Sequence, residues 1–234
     1  MSTLKLYVDR MSQPSRAIII FCKVNGIEFE EVRIDLAKGQ HRLSQFKDIN
    51  PMGKVPAIAY GRFRLSESHA ILSYLACANP TVPDHWYPTD LSMRARINSV
   101  LDWHHNNLRR GAASYVLNST LAPVLGLSLN PKEAARSEKV LTMSLSKIES
   151  FWLDGKGKFL VGSFQPSIAD LSLVCELMQL QIVDDKDRER ILGQYIKVSQ
   201  WIEDVKKATN PYFDEVSAIL YKVKMKLQKT KAKL

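Results

Sequence analysis

Cysteine is scarce in this chain of 234 residues, which has only Cys22, Cys77 and Cys175. An odd number at wide spacing supports neither a disulfide framework nor a cysteine metal site, and each lies in an apolar helical pattern where it reads as a small core residue. Long apolar runs are missing too. The longest uncharged run near the N-terminus, residues 17–22, is far too short to cross a bilayer and lacks the flanks of a cleavable signal. An intracellular protein without a transmembrane segment is expected. Residues 222–234 hold no acidic residue and six lysines, so of the formal net charge of +9 only +3 remains for the rest of the chain. A basic excess confined to one end is not a binding face, and no specific nucleic acid is expected as a partner. Repeats and low-complexity segments are absent as well, and a chain 45% hydrophobic and 24% charged is an ordinary globular one.

What is present falls into two patterns. Residues 4–8 read as a strand, 14–24 as a helix closed by Asn25-Gly26, and Phe29, Val32 and Ile34 as a second strand, a β-α-β start whose strands should run parallel. A polar loop over 35–42, a helical turn over 43–46 and a turn over 50–54 follow. Next comes an apolar run at 55–60 whose Pro56 predicts a kink or a cis bond. Gly61 punctuates a hairpin to Phe63 and Leu65, and a helix is expected over 70–77. Pro80, Pro83 and Pro88 then interrupt any helix, with Trp86-Tyr87 suited to docking the linker. Beyond it the strands stop, and helical spacing runs over 91–118, 131–153, 167–182, 195–208 and 211–228. The expected fold is an α/β thioredoxin-like N-terminal domain (1–78), a linker (79–90) and an all-α C-terminal helical domain (91–234) ending in the basic tail.

The segment Met11-Ser12-Gln13-Pro14-Ser15-Arg16 lies where the first strand gives way to the first helix. Pro14 suits a first helical turn, because its fixed φ fits there and its missing N–H is not needed. Thioredoxin-like proteins carry Cys-x-x-Cys in this layout, and here both cysteine positions hold other residues. Ser12 has two readings: a plain helix cap, or a donor at the positive end of a helix that holds the thiolate of another molecule. Ser167 and Asp170 have the S-x-x-D spacing of a capping box, which makes Asp170 a structural cap rather than a catalytic acid. His104 and His105 have no metal-ligand partner at a suitable sequence spacing, one of them packing beside Trp103, and no metal is expected. Arg109 is a candidate to steer an anionic or peroxide substrate, although adjacent arginines such as Arg109 and Arg110 more often face water. Met11 and Leu36 are candidate apolar lining.

Five motifs in order resemble the theta class of cytosolic glutathione transferases, and the resemblance covers essentially the whole chain. They are Ser-Gln-Pro-Ser-Arg (12–16), Lys-Gly-Gln-His (38–41), Gly-Lys-Val-Pro (53–56), Glu67-Ser68 and Asp-His-Trp-Tyr-Pro (84–88). Each is weak alone; their joint occurrence is not. The basic tail ending Ala232-Lys233-Leu234 is similar to the peroxisomal endings of plant theta enzymes. The resemblance implies a glutathione transferase in which Ser12 stabilises the glutathione thiolate for conjugation to hydrophobic electrophiles and for reduction of organic hydroperoxides. Glutathione is then a co-substrate, and no cofactor is needed.

The same resemblance implies a glutathione site made of Ser12, Gln13, His41, Arg42, Lys54, Val55, Glu67 and Ser68. In it the Val55 backbone, held extended by Pro56, pairs with the cysteinyl backbone. Glu67 takes the γ-glutamyl ammonium, Ser68 its carboxylate, and His41 and Lys54 the glycyl end. It further implies a homodimer located in peroxisome and cytoplasm, with the nucleus as a further site, and an import receptor as partner through Ala232-Lys233-Leu234. The rival reading is a non-catalytic binding or scaffold protein that keeps the fold; the presence of Ser12, Glu67 and Ser68 together favours the enzyme. A third makes the basic tail a tether to nucleic acid or membrane.

Overall fold

The computed structural model describes residues 3–231, and the Ala232-Lys233-Leu234 ending lies outside them. Four short strands come first: β1 (Lys5–Val8), β2 (Glu30–Arg33), β3 (Ala57–Tyr60) and β4 (Phe63–Ser66). They form one sheet in the order β2-β1-β3-β4. β1 and β2 pair in parallel from Lys5↔Glu30 to Val8↔Arg33, as a β-α-β start requires. β3 runs antiparallel to β1 with Leu6 opposite Ile58, and the hairpin to β4 turns through Gly61, whose φ of 60° suits a residue without a Cβ. The Val55–Pro56 bond that leads into β3 is cis, as the sequence suggested, and Asn210–Pro211 is a second cis bond that it did not. With α1 (Gln13–Val24), α2 (Ser44–Lys47) and α3 (Ser68–Ala78), this is the thioredoxin-like arrangement. The remainder is helical: α4 (Leu91–Asn106), α5 (Leu108–Val116), α6 (Pro131–Lys147), α7 (Ile168–Leu177), α8 (Asp185–Leu192), α9 (Ile196–Thr209) and α10 (Tyr212–Lys231).

The run 18–22 of α1 is fully buried, because this helix touches α3 on its own side and α7 and α10 of the helical part on the other. A helix apolar all round has to be sandwiched in this way. The segment between α3 and α4 docks through Trp86, which is 2% exposed and meets Phe21 of α1 edge-on, 5.4 Å between ring centres. One hydrophobic core therefore runs from the sheet into the helices.

Three expectations need correction. The helix expected over 91–118 is two helices, broken at Asn107 (φ −118°, ψ −90°), whose side chain donates to the Trp103 carbonyl at 2.8 Å. The break turns α5 onto α6, where Gly111 allows a close approach that periodicity does not report: a Cβ there would lie 2.5 Å from the Leu141 nitrogen. Second, α8 has no counterpart in the sequence reading, since only Ile191 of Asp-Lys-Asp-Arg-Glu-Arg-Ile-Leu is buried and so few apolar positions show no period. Third, Cys22 and Cys175 are core residues but Cys77, near the end of α3, is exposed. Among the described residues no helix is long and apolar enough to cross a membrane.

The capping box is present and reaches further than its own helix. Asp170 is fully buried; its Oδ2 accepts from the Ser167 N–H (2.8 Å) and hydroxyl (2.7 Å), and its Oδ1 from the Leu160 N–H and the Trp201 indole, each at 2.8 Å. Burial pushes its carboxyl up, against the pull of those bonds. One acid thus joins α7, the segment before it and α9. Asp170→Ala removes the acceptor of four buried donors and should cost about 3 kcal/mol or more. For a chain of this size that corresponds to a fall in Tm of roughly 6–12 °C, measurable by thermal circular dichroism.

Candidate active site

The strand β1 stops at Val8, and the next four residues are fixed by their own chemistry before α1 begins. Asp9 is nearly buried; its Oδ1 accepts from the Met11 N–H and its Oδ2 from the Leu36 N–H, both at 2.9 Å. Its backbone carbonyl accepts from the Ser12 N–H at 2.8 Å. Arg16, one turn into α1 and fully buried, reaches back along the loop: one guanidinium nitrogen donates to the carbonyls of Arg10 (2.9 Å) and Met11 (3.1 Å). The other donates across to the Cys175 carbonyl and to Gln179 Oε1, both at 2.9 Å. Neither Asp9 nor Arg16 was a candidate from sequence. For Arg16 the signal was there, an arginine heading an apolar run, which implies a buried charge in need of acceptors.

Ser12 is the residue this scaffold presents. It occupies the N-cap position of α1 with extended backbone (φ −78°, ψ 124°), yet its hydroxyl makes no capping bond, so the plain-cap reading fails. The side chain is 7% exposed and lines a cavity of about 1200 Å³. Gln13, His41, Arg42, Lys54, Val55 and Arg109 line the same cavity, as do Met11 and Leu36. Glu67 and Ser68 do not. They stand at the start of α3, Glu67 exposed and Ser68 buried, with Glu67 in the left-handed region (φ 69°) that a non-glycine residue seldom adopts. His41 contributes a buried Nδ1 without a partner; slight burial and the neighbouring Arg42 push its imidazole down, toward the neutral form.

The cavity has two characters. Arg10, Arg33, Arg42, Lys47 and Lys54 enter from the sheet-bearing part against Asp9, Glu31 and Asp35, with Arg10 paired to Glu31 at 2.8 Å. Leu117, Leu121, Val124, Leu125, Ile219 and Val223 enter from the helices and make the other wall apolar. The break at Asn107 places Arg109 in the first turn of α5, and it lines the cavity whereas Arg110 is exposed. Its guanidinium donates to Glu176 Oε2 at 2.7 Å. Glu176, fully buried in α7, was missed as a site residue, although an acid inside an unbroken apolar helix was its signal. Burial alone would push its carboxyl up, but Arg109 and His104 outweigh that and hold it below the usual carboxylate range. Such an arrangement can bind an anion at the cationic end, hold an apolar group at the other, and present one uncommitted hydroxyl at a helix start between them.

Comparison with known proteins places this site in a family. The glutathione S-transferase N-terminal domain family matches residues 2–77. The chain is 69% identical over 229 residues to glutathione S-transferase T1 of Arabidopsis thaliana, covering 98% of this chain and 94% of that one. It is 65% identical over 226 residues to glutathione S-transferase T3 of the same plant, covering 97% of this chain but 38% of that longer protein. Human glutathione transferase theta-2, solved in complex with glutathione and an unknown ligand, superposes with a TM-score of 0.88 at 34% identity, covering 97% of this chain and 91% of that one. Similarity of this degree over nearly the full length shows that the chain belongs to the glutathione S-transferase family, in its theta class.

Proposed function

We propose that Ser12 donates a hydrogen bond to the thiolate of bound glutathione, which then attacks hydrophobic electrophiles or the peroxide oxygen of organic hydroperoxides. The observation that carries this reading is Ser12 itself, which lines the cavity at the start of α1 with a hydroxyl that the helix does not use. Lowering a thiol pKa by about two units takes about 2.7 kcal/mol. A hydrogen bond to a charged group contributes about 1.5–3 kcal/mol and a helix N-terminus about 0.3–1, so the two together suffice. A serine hydroxyl is far too weakly acidic to be left as a base, and its part is donation alone.

The tripeptide lies with its glycyl carboxylate among His41, Lys54, Arg42 and Gln13, the unpartnered His41 Nδ1 offering a free position there. Its cysteinyl backbone pairs with Val55 in the manner of an added strand. The γ-glutamyl end leaves the cavity wall for Glu67, which takes the ammonium, and for Ser68 at the start of α3, where helix N–H groups suit a carboxylate. The left-handed backbone of Glu67 supports a functional position, since such strain is maintained where it serves a site. The electrophile occupies the wall made by Leu117, Leu121 and Val124, with Arg109 facing its developing negative charge. With a hydroperoxide, attack on oxygen releases the alcohol and leaves glutathione as a sulfenic acid, which a second glutathione converts to the disulfide and water. This reading includes a homodimer, whose mass in solution tests it directly. Peroxisomal import through Ala232-Lys233-Leu234, and residence in cytoplasm and nucleus, belong to the same reading; removing the three residues and following the location of the protein tests them.

Ser12→Ala should lower kcat/KM for conjugation at least tenfold while glutathione affinity changes less than threefold, and should move the pH midpoint of bound-thiolate absorbance upward. Turnover equal to that of the native enzyme would mean that residue 12 is not the sulfur donor. Conjugation and cumene hydroperoxide reduction, assayed side by side, should fall together in this variant because both use one thiolate. Glu176→Gln, which frees Arg109 without touching Ser12, should raise the KM of the electrophile and leave that of glutathione unchanged. It should also destabilise the fold by about 2–3 kcal/mol at neutral pH, less than the roughly 3–5 kcal/mol of a fully buried broken pair because Arg109 is partly exposed to solvent. A carboxyl held below its ordinary value of 4.5 stabilises fully above that value and loses its contribution as pH falls through the depressed one. The Tm difference between native and variant protein should therefore be constant above pH 4.5 and shrink below it.

A further inference from the structure

Three imidazoles outside the cavity converge between α3 and α4. His69 is the second residue of α3, on the sheet-bearing part of the chain; His104 and His105 are at the C-terminal end of α4. Sequence spacing offers no third ligand to the adjacent pair because His69 is supplied by another helix. One ligand atom from each histidine lies within 4.8 Å of the other two, and His69 Nε2 is 3.3 Å from His104 Nδ1. Four ligands around zinc at about 2.0–2.1 Å stand about 3.3–3.4 Å apart, so that pair already has the separation of two nitrogens on one tetrahedral ion. His105 is exposed and has the freedom to close the remaining distance.

The surroundings suit a cation as well. On its far side His104 Nε2 faces Glu176 Oε2 at 3.5 Å. A carboxylate there favours the proton on Nε2 and leaves the Nδ1 lone pair directed at His69, which is the carboxylate–histidine–metal relation found behind many ligating imidazoles. Arg109 is paired with the same Glu176 at 2.7 Å, and its positive charge, which is still felt at His69 and His105, is opposed around His105 by the negative charges of Glu67 and Asp102.

We propose that His69, His104 and His105 form a binding site for one divalent transition metal ion, zinc by preference, which links α3 of the sheet-bearing part to α4 of the helical part. Imidazole ligands select zinc, cobalt, nickel or copper over magnesium and calcium. Three protein ligands leave a fourth position open on the exposed side of His105, where water completes the tetrahedron. The alternative is a trio of neutral imidazoles held by hydrogen bonding and stacking alone.

Titrating the full-length, untagged protein with Co²⁺ separates the two. The expected result is one Co²⁺ per chain with the intense visible band of tetrahedral coordination, displaced by equimolar Zn²⁺ but not by excess Mg²⁺, and a Tm that rises with Zn²⁺. His69→Ala and, separately, His105→Ala should each weaken binding at least tenfold, while His41→Ala leaves it unchanged. His105 is exposed, so its variant keeps the comparison available if loss of His69 disturbs folding. Absence of uptake, uptake undiminished in both variants, or half an ion per chain with association of chains would each overturn the proposal.

Discussion

The placement of Ser12 depends on a guanidinium that never meets water. Arg16 is fully buried, and burial pushes it below its ordinary value while leaving it charged at any pH a protein meets. The cost of removing such a group from solvent is several kcal/mol, and it is offset only where oxygen acceptors are fixed around it. Four are: two carbonyls of the loop before Ser12, one carbonyl of α7, and the Gln179 side chain that follows α7. The loop cannot move without orphaning a charge, and α7 cannot separate from α1 without doing the same. Arg16 therefore makes the sheet-bearing and helical parts mutually necessary at the point where the site lies, and the apolar packing of α1 against α7 and α10 adds non-directional attraction to a contact whose register the arginine sets.

Helix α7 carries two buried acids whose environments separate their roles. Asp170 spends both oxygens on four donors within the helical part, and burial dominates its titration. Glu176 has one oxygen between Arg109 and His104 and the other without a partner, and its charge is favoured by the Arg109 guanidinium and the His104 ring beside it. The first is a closed structural joint. The second is an open one, with the cavity on its Arg109 side and the histidine cluster on its His104 side, so a change of charge at either end is felt at the other through a single carboxylate.

Much of this was readable from local pattern. The β-α-β start, the hairpin at Gly61, the Pro56 cis bond and the Ser167–Asp170 box all rest on residues within a few positions of one another, where propensity and capping chemistry decide. The features that escaped depend on chain segments far apart. The break at Asn107 serves the contact of Gly111 with Leu141; His69 meets His104 and His105 only once α3 has docked on α4; and Asp9 acts on Leu36 across the sheet. Glu67 and Ser68 illustrate the converse. A motif places them at a helix start, where α3 begins, but it does not report that they stand outside the residues lining the cavity that Ser12 enters. The α8 segment escaped for a simpler reason, since a helix with one buried residue has no period to detect.

A serine at residue 12 also explains why so much of the fold is committed to backbone placement. Its side chain has a single heavy-atom torsion, so the position of its oxygen is set almost entirely by the φ and ψ of the loop that carries it. A longer donor would correct an error in the backbone by choosing another rotamer; serine has no such reserve. In the role proposed for Ser12, donation to the glutathione sulfur, a misplacement of about 1 Å would cost a large factor in rate. Asp9 fixes the loop from within by accepting from Met11 and Leu36, and Arg16 fixes it from the helix behind. The short side chain and the two buried charges around its backbone are thus one device, in which the reach that serine lacks is replaced by rigidity that only the assembled core provides.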